Sequence, residues 1–446
     1  LTDYKVRVVD SATVDRALQD PGIAQREGAD ASANRRIAML LDEIEARNDF
    51  VLLLADAEPT PWTRRVSRHC DELLLLADAS AEPAIHPIEA QCLAQRAPLT
   101  EAAEILVLLH PADARCPRHT EQWLARRTVA DHVHVRPALE RDMARLARIQ
   151  SRTAVGLVLA GGGARGFAHL GVYRALLEQG VEIDCVGGTS IGSVMAAYVA
   201  SDQPLEAVMA NAREAFRTNP TGDFNLLPML SLIKGRRLRH ILDQAVGRLV
   251  GFPARVEDLW KNYYCVATNY SRACEQVVRQ GSLVKSLLAS ISIPGALPPV
   301  VHEGDLLCDG GTFNNFPVNV MRGMRGVGKV IGVDLNFRKP RQIDLDDVPS
   351  SWALLRDKLR PRAQRRYKLP SLASYLMTVT ILYSMSRQRQ SQQLTDLYFN
   401  PPMERVGMLQ WNRFEQIVQQ GYAHGLDVLG RIEAAGRAHE AVQATP

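Results

Sequence analysis

The chain has no Cys-x-x-Cys pair, no His and Cys cluster at metal-ligand spacing, and no run of 18 uninterrupted apolar residues. Its seven cysteines, Cys70, Cys92, Cys116, Cys185, Cys265, Cys274 and Cys308, form an odd, scattered set. That excludes a structural zinc site at the level of motif, and it points to a reducing, cytoplasmic setting rather than a disulfide framework. No charged segment followed by an apolar one opens the chain, so neither a signal peptide nor a membrane-spanning helix is expected. An excess of one charge sign is lacking too. The 53 Lys and Arg against 49 Asp and Glu leave +4, and a pI near 8.7 is only mildly basic, so no nucleic-acid partner is expected. No internal repeat or low-complexity segment stands out. The first residue is Leu1 rather than Met, which predicts a chain that begins inside a longer protein.

What remains is a globular composition, 46% hydrophobic and 23% charged over 446 residues, enough for two domains. From Leu1 to about Ile149, strand-like runs (Lys5 to Val9, Phe50 to Leu54, Glu72 to Leu76, Ile105 to Leu109, His132 to Val135) alternate with helix-like stretches such as Asn34 to Arg47 and Thr120 to Arg127. That alternation predicts a small α/β domain over 1–150 with a parallel sheet. Two of its strands end in Ala55-Asp56 and Ala77-Asp78, where open α/β sheets bind ligands, although turn and N-cap roles are the simpler reading of such aspartates. A catalytic core is predicted over 151–337 and a C-terminal extension over 338–446. Within the core, Leu205 to Arg248 reads as helical, and Trp411 to Ala435 predicts a final helix.

The chemistry concentrates where glycine does. Gly161 to Gly192 holds nine glycines in 32 residues, where an even share of the chain's 30 would give about two. The apolar run Ala154 to Ala160 leads into Gly161-Gly162-Gly163-Ala164-Arg165-Gly166 and then a helix from Phe167 to Gln179. A glycine turn at a helix N-terminus aims backbone N–H groups at one point and so suits an anion. Gly161, Gly163 and Gly166 also satisfy the G-x-G-x-x-G dinucleotide pattern, which would make the chain an oxidoreductase. That reading needs an acid at the end of the next strand, and Asp184 lies near its start.

What ends that strand is Gly188-Thr189-Ser190-Ile191-Gly192, a G-x-S-x-G pattern running into a small-residue helix. Such a turn exposes a serine hydroxyl and sets backbone donors beside a developing oxyanion. The serine needs a base. Of the histidines that follow it, His240, His302, His424 and His439, none sits in a glycine turn after a strand, and His302 is the best of them. A stronger candidate is Asp309 in Leu306-Leu307-Cys308-Asp309-Gly310-Gly311, where an apolar strand delivers a carboxylate into a glycine turn; a structural Asp-Gly turn is the simpler alternative.

Taken together, Gly161 to Gly166, Gly188 to Gly192, Ser292-Ile293-Pro294, and Asp309-Gly310-Gly311 with Asn314-Asn315-Phe316-Pro317 resemble the four signature blocks of the patatin-like phospholipases, over roughly Ala154 to Asn336. The resemblance implies a three-layer α/β/α catalytic domain. It also implies a Ser190–Asp309 dyad without a histidine, and an oxyanion hole at Gly161, Gly162 and Gly163 beside Arg165, with Gly188 and Gly192 flanking the elbow. No cofactor or metal is implied. Thr60 to Arg64, Trp411 to Phe414 and Gly421 to Gly425 further resemble the neuropathy target esterase branch. That branch hydrolyses lysophospholipids and related acyl esters and commonly carries cyclic-nucleotide-binding modules upstream, which this chain lacks. Ala160 stands where the branch often has another glycine. The implied function is a serine esterase acting on phospholipids or lysophospholipids through an acyl-enzyme; a catalytically silent lipid-binding scaffold is the rival.

One charged segment stands apart. Arg356, Lys358, Arg360, Arg362, Arg365, Arg366 and Lys368, opposed only by Asp357, give +6 over 13 residues. Leu369, Leu372, Tyr375, Leu376, Val379 and Leu382 follow at helical spacing. This combination suits peripheral contact with an anionic membrane; the alternative is a solvated basic loop beside an ordinary core helix.

Overall fold

The computed structural model describes residues 4–93, 102–335, 347–361 and 372–443, with isolated positions 345, 364, 366, 367 and 369. The five strands expected before residue 150 form: β1 (Val6–Val9), β2 (Phe50–Leu53), β3 (Glu72–Asp78), β4 (Ala103–Leu109) and β5 (Asp131–Val135). All their pairings are parallel, but they divide into a β1–β2 pair and a separate β3–β4–β5 sheet instead of one continuous sheet. Each has its own core. Trp62, Ile37 and Leu41 pack against β1 and β2, whereas Ile105, Val107, Val133 and Val135 pack on one face of β3–β5.

Beyond residue 150 an eight-stranded mixed sheet organises the chain: β6 (Ala154–Leu159), β7 (Cys185–Thr189), β8 (Asn262–Asn269), β9 (Cys274–Val278), β10 (Val300–His302), β11 (Asp305–Asp309), β12 (Val327–Val333) and β13 (Leu397–Phe399). Its order is β10-β11-β8-β7-β6-β12-β13, with β9 paired to β8. The central strands are apolar on both faces because helices cover both. Along β6, Leu157 and Leu159 point into a core shared with the helices Phe167–Glu178, Ile191–Ala200 and Phe414–Gln443; Val158 and Ala160 point into a second core with Val318, Val320 and Met321 of the helix Val318–Arg322. This is the three-layer α/β/α arrangement expected.

The long C-terminal helix lies against Phe167–Glu178 at backbone contact distance. A Cβ at Gly171 would fall 2.0 Å from the Val418 carbonyl oxygen, and one at Gly421 2.2 Å from that of Ala168. The expected helical stretch Leu205 to Arg248 is corrected. It resolves into helices Leu205–Ala215 and Arg236–Val250, and Pro220, Gly222, Pro228 and Gly235 break the period between them. No helix among the described residues is long and apolar enough to cross a membrane.

A buried charge network joins residues 131–145 to the large sheet. Arg136 donates to Asp142 at 2.7 Å and to Asp202 at 2.8 Å, and Lys261 reaches Asp202 at 2.8 Å. Burial alone would raise the Asp202 carboxyl, but Lys261, Arg141 and Arg136 overcome it and hold the group down at about 2. Asp202→Asn should test this network cleanly, since asparagine tolerates the left-handed backbone found there (φ 54°). Urea unfolding at pH 7 is expected to show a loss of about 3 kcal/mol, because two buried cations lose a counter-charge. A carboxylate depressed in the fold stabilises above its unfolded value, so the deficit should narrow as pH falls from about 4 toward 2.

Candidate active site

Strand β7 ends in a sharp turn that places Ser190 at φ 55°, ψ −130°, a left-handed conformation costly for a side chain with a Cβ. The strain is held from both sides. Gly192 lies so close to the end of β6 that a Cβ would fall 2.1 Å from the Leu159 carbonyl oxygen. The Ser190 N–H donates to Ser290 Oγ at 2.9 Å, and the Ser290 hydroxyl donates to the Val266 carbonyl at 2.6 Å. Thr189 Oγ1 donates to the Asn314 carbonyl at 2.7 Å.

Register then brings the carboxylate to the serine. On β8, Val266 pairs with Thr189 of β7, and the next residue, Ala267, pairs with Asp309 of β11. One strand therefore sets the elbow and the aspartate side by side. Ser190 Oγ donates to Asp309 Oδ2 at 2.8 Å, and the Gly311 N–H donates to Oδ1 at 2.7 Å. Burial pushes the Asp309 carboxyl up to about 6; the Gly311 and Ser190 hydrogen bonds pull the other way and only partly offset it. A carboxylate poised there is a competent base at neutral pH, which an exposed aspartate is not.

The glycine turn after β6 faces the same serine, with a modification to the expected donor set. The Gly161 N–H already donates to the Asn315 carbonyl at 3.1 Å, and Asn315 Nδ2 donates back to the Gly161 carbonyl at 3.2 Å, so Gly161 ties the turn to the Asp309 loop and is not available as an oxyanion donor. The Ala164 N–H donates to the Met408 carbonyl at 2.8 Å. Between them, the Gly162 and Gly163 N–H groups, at the start of the short turn Gly163–Gly166, have no backbone acceptor outside that turn among the described residues. Arg165 Nε donates to the Val406 carbonyl at 2.7 Å, which anchors the 403–408 segment over the turn. His169 is fully buried 2.8 Å from the Ala160 carbonyl; burial lowers it to about 4, so a neutral ring donates through Nε2.

Other residues singled out from the sequence lie apart from this cluster. His302 sits on edge strand β10, paired with Asp305 of β11. Asp184 accepts two hydrogen bonds from Arg148 and one from the Val155 N–H while almost wholly buried, so it cannot serve a ribose, and the dinucleotide reading fails there. Asp56 accepts from Ser11, Gln25 and Thr60, and Asp78 from the Ser80 N–H, both local structural roles. Cys308 is buried, its thiol pushed up to about 11 by desolvation. Of the basic segment, Arg362, Arg365 and Lys368 lie outside the described residues. Arg356 and Arg360 are exposed, Arg360 lies 3.6 Å from Asp357, and the Asp357 carboxylate also accepts from the Arg366 and Tyr367 N–H groups. On the helix Leu372–Ser386, Tyr375, Val379 and Leu382 are exposed, so these three members of the stripe expected from the spacing do not enter the core.

Sequence reasoning missed Ser290 and Ser384, and it placed Asn315 in a signature block without a role of its own. Ser290 lies two residues before the Ser292-Ile293-Pro294 block, and Ser384 Oγ accepts from the Asn315 N–H at 2.6 Å across 69 residues.

Known proteins resemble the chain along most of its length. Residues 157–322 match the patatin-like phospholipase family model, and residues 9–157 match the neuropathy target esterase family P-loop like domain. The chain is 30% identical to patatin-like phospholipase domain-containing protein 7 of Mus musculus over 92% of its own length and 32% of that protein. It is 32% identical to patatin-like phospholipase domain-containing protein 6 of Homo sapiens (89% and 30%) and 28% identical to lysophospholipase NTE1 of Eremothecium gossypii (92% and 32%). The chain thus spans about a third of the length of these relatives. In the P-loop like region the turn after β1, Val9-Asp10-Ser11-Ala12-Thr13, has no glycine, and the Asp10 carboxylate accepts from the Thr13 N–H where a phosphate would sit, so it does not fit a phosphate cradle.

The raised Asp309 carboxyl makes a prediction about stability. A carboxyl that is harder to ionise in the fold than in the unfolded chain favours folding below its unfolded value near 3.8, and that benefit disappears as pH rises through about 6. At pH 8 the parent carries a poorly solvated charge that Asp309→Asn lacks. Thermal or urea unfolding at pH 8 should find the variant more stable by roughly 1–3 kcal/mol, with the gap closing toward pH 4. A variant less stable than the parent at pH 8 would mean that the carboxylate is well solvated or paired.

Proposed function

We propose a function from the premise that this chain belongs to the patatin-like phospholipase family, in its neuropathy target esterase branch: it hydrolyses acyl esters of phospholipids and lysophospholipids through a Ser190–Asp309 dyad and an acyl-enzyme. The observation that carries this reading is the 2.8 Å hydrogen bond from a serine on a strained elbow to a buried carboxylate.

In this reading Ser190 Oγ attacks the ester carbonyl carbon as its proton passes to Asp309 Oδ2. The carbonyl oxygen becomes an oxyanion facing the N–H groups of Gly162 and Gly163. Collapse breaks the ester C–O bond, and Asp309 returns the proton to the departing alcohol. A water then attacks the acyl-Ser190 carbonyl while Asp309 takes its proton, and a second collapse frees the fatty acid and restores the serine. The Gly311 N–H holds the carboxylate in orientation throughout. Arg165 acts as a positioning residue, because its Nε fixes the 403–408 segment against the glycine turn. Residues 1–150 form a supporting α/β domain, 151–337 the catalytic core, and 338–446 an extension that completes the site. The enzyme works at the cytoplasmic face of a membrane, and the basic segment from Arg356 to Lys368 adds electrostatic attraction to anionic lipid.

Ser190→Ala and Asp309→Asn are each expected to lower kcat on a lysophospholipid by about 1,000-fold or more, and the double variant should be no worse than either single one, since both residues act in one proton transfer. Fluorophosphonate labelling followed by peptide mass spectrometry should find one adduct, on Ser190. Substantial activity in a clean Ser190→Ala preparation, or an adduct on another serine, contradicts the mechanism.

A further inference from the structure

Residues Phe224 to Leu230 read Phe-Asn-Leu-Leu-Pro-Met-Leu, with no charge, and their apolar side chains form the barest cluster among the described residues. Phe224, Leu226, Leu227, Met229 and Leu230 are between 68% and 95% exposed. Single exposed leucines are ordinary, but five in seven residues are not. The segment is a built projection. Phe224 bridges Ile233 in antiparallel fashion, the Asn225 N–H donates to the Leu232 carbonyl at 2.9 Å, and Asn225 Nδ2 donates to that of Ser231 at 2.8 Å. Ser231 and Ile233 at the base are buried. The result is a closed finger with an apolar tip.

Its base is attached to the machinery of the dyad. The Leu232 and Ile233 N–H groups donate to the Gly295 and Ala296 carbonyls, each at 2.9 Å, and in the same segment the Ser292 carbonyl accepts from the Asp309 N–H at 2.9 Å. Two other exposed apolar groups are tied to neighbouring turns. Leu409 follows Met408, whose carbonyl accepts from Ala164 of the glycine turn. Tyr375, Val379 and Leu382 lie on the helix whose Ser384 accepts from the Asn315 N–H. Exposed apolar side chains therefore lie on three segments that are hydrogen-bonded to turns of the site. Immediately after the finger come Lys234, Arg236, Arg237 and Arg239, all exposed, with Arg217 before it and Asp223 the single acid between.

We propose that the 224–230 finger inserts into the headgroup and acyl boundary of an anionic bilayer, with Lys234, Arg236 and Arg237 resting on the lipid phosphates, and so presents the Ser190 site to the membrane surface. This rests on the lipid-ester reading above. An uncharged apolar tip flanked by cations is the pattern of a surface-inserting element. It fits a second copy of the chain poorly, since a two-fold contact through this face would bring two sets of cations together.

The test uses the 446-residue protein with Leu226, Leu227, Met229 and Leu230 all replaced by Gln, a second variant with Lys234, Arg236 and Arg237 replaced by Gln, and a third with Arg356, Arg360 and Arg366 replaced by Gln. Co-sedimentation is measured with vesicles of phosphatidylcholine alone and of phosphatidylcholine with phosphatidylglycerol, at low and high salt, alongside hydrolysis of a water-soluble short-chain ester. The parent should bind the anionic vesicles. The finger variant should bind them at least ~30-fold more weakly at either salt. The Lys234 variant should lose at least ~10-fold at low salt only. Short-ester hydrolysis should stay within about twofold of the parent in both, which also separates docking from folding. A parent that does not bind, a finger variant that binds like the parent, or binding lost only in the Arg356 variant overturns the proposal. So does a finger variant that changes the sedimentation velocity from dimer to monomer without changing vesicle binding. Vesicle binding is read without catalysis, so a parent that binds through the finger yet hydrolyses no ester refutes the function and leaves the docking surface standing.

Discussion

The site depends on a carboxylate that is kept from water and given a serine hydroxyl as partner. An aspartate with its ordinary acidity would hold the Ser190 hydrogen bond but could not draw the proton away, whereas one raised to about 6 is ionised at neutral pH and still basic. Strand β8 creates the condition. It pairs with β7 up to Val266 and with β11 from Ala267, so the nucleophile's strand and the base's strand meet at consecutive residues. Asp309 receives one backbone donor and one hydroxyl, which orient it without neutralising the effect of burial.

Around this pair the geometry is maintained by backbone contacts between distant parts of the chain. Ser290 holds the elbow to Val266, Asn315 holds the glycine turn to the loop after Asp309, and Met408 and Val406 reach back to Ala164 and Arg165. The C-terminal helix crosses Phe167–Glu178 at a distance that glycine alone allows, through Gly171 and Gly421. The 403–408 segment and the C-terminal helix are therefore structurally part of the site's surroundings.

The parts legible in the sequence were those with a local cause. The apolar runs predicted all five N-terminal strands, and the clustered glycines located both the Ser190 elbow and the tight turn after β6, because close approach of backbone to backbone leaves a compositional trace. Asp309 was legible as a strand end entering Asp-Gly-Gly. What escaped was set by tertiary pairing. The division of the small parallel strands into two sheets has no local signal, and neither does the use of the Gly161 N–H by Asn315 or the support from Ser290 and Ser384. The 216–235 interruption did carry its signal, two prolines and two glycines, which the helical reading of Leu205 to Arg248 passed over.

The claim at the centre is that Asp309 alone activates Ser190, with no histidine in the proton path. The pH dependence of the rate at which a fluorophosphonate phosphonylates Ser190, with loss of fluoride, measures that step without lipid, interface or product release. The account predicts one ascending limb with an apparent pKa of about 6, unchanged in His302→Ala and absent in Asp309→Asn. A limb near 7 that disappears on replacing a histidine, or a rate independent of pH between about 5 and 8, would contradict it.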